Sequence, residues 1–263
     1  MYCEANILSS SDEQQLLKLI KNSINQGYKT LILNHVVDGS FKPHHQYKTQ
    51  EPNLQRLKEL LFPLNAIQSS SSIGGSFVGR IRLFRRVTIV LELDTAMSRI
   101  KPENSFLRTF DIVAVAPKTE STFKAACTHL PIEIIQLDAE SQWTYRPRIP
   151  HVRGALKRGL HFEICYGNAL SNSVFRRQLI SNLRQLIILT RNKGIILSFG
   201  ANLPFLMKNP LDLMHFLAIV ELPSRAIPSC IRNNIASALS VGAARRADHG
   251  MIEVIPRKKK YPS

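Results

Sequence analysis

His35 and Asp38 close one β-branched run, and His161 and Glu163 alternate along another. Imidazoles and carboxylates gathered at strand ends are the donor set of a divalent metal site able to hydrolyse phosphoesters. Alternation puts His161 and Glu163 on one strand face, and barrel chemistry sits at strand C-terminal ends. His35 with Glu163 is therefore the best candidate pair. The first run, Tyr2 to Ile7, has no histidine, and His129, His151, His215 and His249 are scattered. The ordinary alternative for each histidine is a hydrogen-bonded core or rim position. Nucleophile motifs are absent: no Gly-x-Ser-x-Gly elbow, no Walker loop, and a glycine run at Gly74, Gly75 and Gly79 that follows no strand in the required way. No catalytic residue, metal ligand or cofactor is expected.

The arginines speak more clearly. Lys and Arg number 35 against 19 Asp and Glu, for a net charge of +16 over 263 residues. That excess favours a polyanionic partner, nucleic acid ahead of an anionic membrane surface, and a solvated basic face is the plain alternative. Glu163 is the sole acid between Ser141 and Leu211, a window holding Arg146, Arg148, Arg153, Lys157, Arg158, Arg176, Arg177, Arg184, Arg191, Lys193 and Lys208. Arg177, Arg184 and Arg191 recur at heptad spacing and form one helical stripe. Without local acids, such a stripe repels itself unless a polyanion or distant acids meet it. A second cluster is Arg80, Arg82, Arg85 and Arg86, and a third is Arg257-Lys258-Lys259-Lys260, with the composition of a nuclear import signal or an RNA-contacting arm. Trp143 and Tyr145 interleave with Arg146 and Arg148, either as stacking platforms for single-stranded RNA or as packing at the barrel's edge.

The elements that position these residues alternate between β and α. Strands are expected over 30–37, 87–93, 111–116, 132–137, 160–165, 195–199 and 251–255, besides the first run. Helices are expected after a capping box at Ser11 to Gln14, over a short span from Asn53, over 119–129, over 171–193, and as a pair filling 210–246. About eight strands, most followed by a helix, imply a parallel α/β sheet, closed as a barrel or doubly wound. One domain over 1–256 is expected, with a mobile Ser/Gly loop at 65–80 and a basic tail at 257–263. Cys3, Cys127, Cys165 and Cys230 form no Cys-x-x-Cys pair, and three read as small buried thiols in a reduced, intracellular chain. No secretory leader and no membrane-spanning run is expected.

Phe110 to Glu120, FDIVAVAPKTE, resembles the (F/Y)D-hydrophobic-VAV-x-PKTE segment of the thirty-kilodalton protein subunit of eukaryotic and archaeal ribonuclease P, and Ala126-Cys127-Thr128-His129-Leu130 continues it. Leu33 to Asp38 is similar to that family's second strand. Arg158-Gly159-Leu160 with Phe162-Glu163-Ile164-Cys165-Tyr166 resembles its RGL-x-FE strand, Arg176-Arg177 with Ile180-Ser181-Asn182 its basic helix, and Gly242 to Gly250 its C-terminal segment. The likeness is collinear and weakest over 40–105. At Ala236 the family leads one to expect arginine.

The resemblance implies a TIM-barrel-like fold, related to metal-dependent phosphatase barrels with the metal ligands lost. It implies a non-catalytic, RNA-binding subunit that assists RNA-catalysed removal of tRNA 5′ leaders. The implied partners are ribonuclease P RNA, ribonuclease MRP RNA, precursor tRNA indirectly, other ribonuclease P proteins and a small ferredoxin-like subunit, often two copies of each. The implied place is the nucleus and nucleolus. Motif positions and the arginine stripe nominate Lys118, Arg158, Arg176, Arg177, Arg184, Arg191, Arg245 and Arg246 for RNA contact. A metal-dependent phosphoesterase using His35, Asp38, His161 and Glu163 is the alternative, and a barrel whose charge meets an acidic protein is a third.

Overall fold

A computed structural model describes residues 2–9, 12–39, 81–92 and 94–247. Among the described residues seven strands lie parallel in chain order: β1 (Tyr2–Leu8), β2 (Tyr28–Asp38), β3 (Arg82–Leu91), β4 (Ile112–Pro117), β5 (Ile134–Leu137), β6 (His161–Cys165) and β7 (Ile195–Ser198). Helices α1 (Glu13–Asn25), α2 (Ser105–Arg108), α3 (Glu120–Thr128), α4 (Ile149–Lys157), α5 (Ser173–Thr190), α6 (Pro210–Ile219) and α7 (Asn234–Arg246) complete it. The sheet curls so that its ends meet. The Gly200 amide, just past β7, donates to the Asn6 carbonyl of β1 at 3.0 Å, and the Phe199 amide donates to the Glu4 carboxylate at 2.9 Å. Gly200 has φ +62, and a Cβ there would lie 2.4 Å from the Cys165 sulfur, so the seam needs glycine. The architecture is the expected TIM-barrel-like α/β barrel, nearly closed.

Two cores explain the strand sequences. Outside the sheet, Leu31, Leu33, Val87, Ile89, Val113, Val115, Phe162 and Ile164 pack beneath the helices. Parallel strands covered on both faces read as apolar runs, hence their β-branched composition. Inside, Cys3, Ala5, Ile32, Ile112, Ala114, Ile134 and Ile196 meet Ile235 and Ala238 of α7. Most of these inner residues start their strands, so α7 plugs the N-terminal end of the barrel. Gly242 permits that approach, because a Cβ would fall 2.0 Å from the Asp111 carbonyl oxygen.

The helices obey local rules. Asp12, rather than the expected Ser11, caps α1 by accepting from the Gln14 amide at 2.9 Å, and Leu16, Leu19, Ile20 and Ile24 form its buried stripe. Thr119 and Thr122 make a reciprocal capping box on α3. α5 runs from an Asn172 cap to Arg191, which ends it in the left-handed region at φ 52. β3 begins at Arg82 rather than 87, so Arg82, Arg85 and Arg86 of the second cluster lie on a strand. Helix α4 was not anticipated. The expectations for 40–80, including the helix from Asn53, the Ser/Gly loop and Arg80, and those for 251–255 and 257–263, lie outside the described residues.

Candidate functional site

The inner face changes character along the strands. Beyond the apolar N-terminal half, Asn6, Asn34, Arg86, Thr88, Gln136, Glu163 and Ser198 point inward, Gln136 half-buried and the other six 1% exposed or less. Arg86 sits at the centre. Its Nε donates to Thr88 Oγ1 at 3.0 Å, and its Nη1 to the Ala5 carbonyl at 3.0 Å and to Glu163 Oε1 at 2.7 Å. Its Nη2 donates to Gln136 Oε1 at 3.2 Å and to Glu163 Oε2. All five guanidinium N–H groups are thereby engaged, and the pair with Glu163 is the two-pronged kind. Ser198 donates to Glu163 Oε1 at 2.7 Å, while Thr88 donates to Asn34 and Asn34 to Asn6, both at 2.8 Å. Both members of the Arg86–Glu163 pair have side chains 0% exposed.

Glu4 borders this network at the seam. Burial pushes its carboxyl up to about 7, against bonds from the Phe199 and Asn6 amides, with the neighbouring Glu163 charge adding to the rise. Above the network lies a cavity of ≈ 260 Å³ whose wall includes Pro117, Lys118, Gln136, Asp138, Cys165 and Gly200. It stands over strand C-terminal ends, where barrel chemistry is ordinarily built.

The four residues nominated for metal hydrolysis do not converge there. Asn34 points inward, so alternation sends His35 to the opposite face with Leu33 and Val37, away from Glu163. Asp38 is exposed at the strand's far end. His161 shares Glu163's face but opens β6 at the apolar end of the barrel, where its Nδ1 has no hydrogen-bond partner. Burial there pulls its pKa down to about 4. Among the described residues no group of three His, Cys, Asp or Glu could hold a metal.

The nominated RNA contacts divide into three kinds. Arg245 is an internal tie: its side chain is 9% exposed, with Nε on Glu133 Oε1 at 2.7 Å and the two other nitrogens on the Leu107 and Phe110 carbonyls. Arg158 donates to the Ala126, Cys127 and Leu130 carbonyls and so caps the C-terminus of α3. Arg246 is half-buried against Asp111 at 2.6 Å, and Arg184 meets Glu221 at 3.0 Å on the surface. Lys118, Arg176, Arg177 and Arg191 are exposed, and Arg177 has no ion pair or hydrogen bond with a described residue. The missed helix α4 adds exposed Arg153 and Lys157, and it packs beside α5. Where α4 begins, Arg146 and Arg148 border a second cavity of ≈ 460 Å³, with Arg148 3.1 Å from Glu120. Trp143 and Tyr145 serve the edge-packing role: both lie against the outer core, with Trp143 Nε1 donating to the Asp138 carbonyl and Tyr145 to Pro117.

The second cluster separates too. Arg85 turns outward onto the Thr109 carbonyl and over the Phe110 ring at 5.8 Å, and Arg82 donates to Thr30. Sequence reasoning missed Arg86 as an interior residue. The available signal was Glu163, the only acid in a buried strand, which had to find a cation somewhere.

Known proteins resemble the chain in sequence and in fold. The chain is 27% identical over 265 residues to "Ribonuclease P protein subunit p30" of Mus musculus, covering 100% of this chain and 92% of that protein. It is 26% identical over 247 residues to "Ribonuclease P/MRP protein subunit RPP1" of Saccharomyces cerevisiae, covering 93% and 78%. In three dimensions it resembles a chain of an archaeal ribonuclease P solved with mature tRNA, with a TM-score of 0.61 at 16% identity over 97% of this chain and 100% of that one. That last likeness speaks for the fold. The match to the family described as RNase P subunit p30 runs through residues 1–247, taking in every described strand and helix, and the chain belongs to that family.

Proposed function

We propose that this chain is a non-catalytic subunit of ribonuclease P, shared with ribonuclease MRP, whose basic surface supports RNA while an RNA-bound metal carries out the cut. The observation that carries the non-catalytic part is the Arg86–Glu163 pair. At the end of the barrel where a hydrolase would place its reacting groups, the one inward carboxylate on β6 is neutralised by a guanidinium with no donor to spare. A general acid or a metal would need that carboxylate free. The RNA-facing part rests on Lys118, Arg176, Arg177, Arg184 and Arg191, which lie exposed, and Arg246, paired with Asp111, is a partly shielded contributor.

The partners are ribonuclease P and MRP RNAs, precursor tRNA through them, other protein subunits and a small ferredoxin-like subunit, in the nucleus and nucleolus. Phosphate contacts from such a surface position rather than specify, so recognition follows RNA shape. Sequencing RNA that co-purifies with the tagged chain tests the reading, and ribonuclease P and MRP RNAs should dominate. The purified chain, assayed without RNA on phosphomonoesters with manganese or zinc, should show no turnover. Turnover abolished by Glu163→Gln would overturn the non-catalytic reading.

A further inference from the structure

The barrel interior holds more than a salt bridge. Glu163, the Ala5 carbonyl, the Thr88 hydroxyl and the Gln136 amide oxygen all aim at one planar group, and each of its five N–H donors has an acceptor at 2.7 to 3.2 Å or closer. The acceptors come from β1, β3, β5 and β6, and Thr88 is held in turn by Asn34. Four strands therefore fix the acceptors, and the occupant does not need to. Acceptors matched one to one with the five N–H groups of a guanidinium suit that flat cation and not a compact octahedral ion, which needs ligands on all sides. We propose that these groups form a built cation site, selective for a planar guanidinium, that the chain fills with its own Arg86.

Two observations set what the site does when its occupant is removed. Glu163 is 0% exposed, so without Arg86 its charge would be buried and unmatched. The ≈ 260 Å³ cavity over the strand ends includes Gln136 in its wall, and Gln136 also contacts Arg86. Shortening Arg86 to alanine thus opens a guanidinium-shaped space beneath a cavity that a small solute can enter. The tethered arginine excludes free guanidinium from the unaltered chain. The site is independent of RNA binding, so its failure would leave the subunit reading standing.

The test is thermal melting of the full chain carrying Arg86→Ala. Low-millimolar guanidinium chloride should raise its melting temperature by about 3 °C or more, while equimolar urea and sodium chloride should not. The unaltered chain should show no rise. Arg86→Ala combined with Glu163→Gln should melt above Arg86→Ala alone and lose the guanidinium response. Equal responses to guanidinium and sodium, or rescue by magnesium, manganese or zinc chloride in place of guanidinium, would overturn the proposal. Where Arg86→Ala is insoluble, soluble yield decides instead: a higher yield for the double variant supports the site, and an equal yield sinks it.

Discussion

The Arg245 guanidinium reaches from the last turn of α7 to Glu133, Nε to Oε1 at 2.7 Å, just ahead of β5. Its other nitrogens bond the Leu107 and Phe110 carbonyls, and Glu133 Oε2 accepts from the Val113 amide at 2.7 Å. One side chain thus fastens the plug helix to the bases of β4 and β5. Arg245→Ala leaves the Glu133 charge buried and should cost about 3 to 5 kcal/mol in urea unfolding. Arg245→Ala with Glu133→Gln should recover part of that loss, and Arg246→Ala, whose side chain is 34% exposed, should lose clearly less.

Arg158 predicts a smaller loss of the same kind. It donates to carbonyls at and beyond the end of α3, where backbone acceptors lack helical partners. Arg158→Ala should lower stability by about 1 kcal/mol and leave the salt dependence of RNA binding unchanged. A flattened salt dependence with stability intact would move Arg158 to the RNA-contacting group.

Gly242→Ala tests the plug itself. The added methyl would meet the Asp111 carbonyl oxygen at 2.0 Å, a backbone atom that cannot swing aside. The variant should lose about 1 to 3 kcal/mol through displacement of α7. Gly154→Ala in α4, with nothing near its Cβ, should be neutral or stabilising.

These arginines also mark where the sequence stops being legible. Strands with apolar contacts on both faces announce themselves, as 111–116 and 195–199 did. The resemblance of FDIVAVAPKTE carried the family. Helix α4 escaped because Pro150, Gly154, His151 and two basic residues among nine blur its apolar spacing, although Val152 and Ala155 are buried. The arginines were harder. A side chain of one type either faces a polyanion or crosses the fold to a distant carboxylate, and Arg86 lies 77 residues from Glu163 while Arg245 lies 112 from Glu133. Local spacing carries no trace of such pairs.

Two buried groups give a pH profile with opposing arms. Glu4 titrates near 7 in the fold against 4.5 unfolded, so the folded chain holds the extra proton and stability falls as pH rises from 4.5 through 7. His161 titrates near 4 against 6.5, so the unfolded chain holds the extra proton and stability rises over that window. The two nearly cancel between 4.5 and 6.5. Glu4→Gln should remove one arm, gaining about 3 kcal/mol on the native chain by pH 8 and little at pH 4. His161→Leu should remove the other, so its advantage over the native chain appears only in acid. Parallel profiles for native and Glu4→Gln chains in urea melts would refute the assignment.

Arg176 and Arg177 open the basic face of α5, and neither has a carboxylate partner among the described residues. Phosphates that such residues neutralise release counterions, so binding weakens linearly with the logarithm of salt concentration. Replacing both with glutamine should weaken association with ribonuclease P RNA at every salt concentration and reduce the log–log slope by about 2. Arg184 already meets Glu221 on the surface, so Arg184→Gln should change the slope by less than either. Binding measured across a salt titration separates these cases, because a folding defect lowers the active fraction without altering the slope. An unchanged slope in the double variant would remove α5 from the RNA surface and leave Lys118, at the barrel mouth, as the next residue to test.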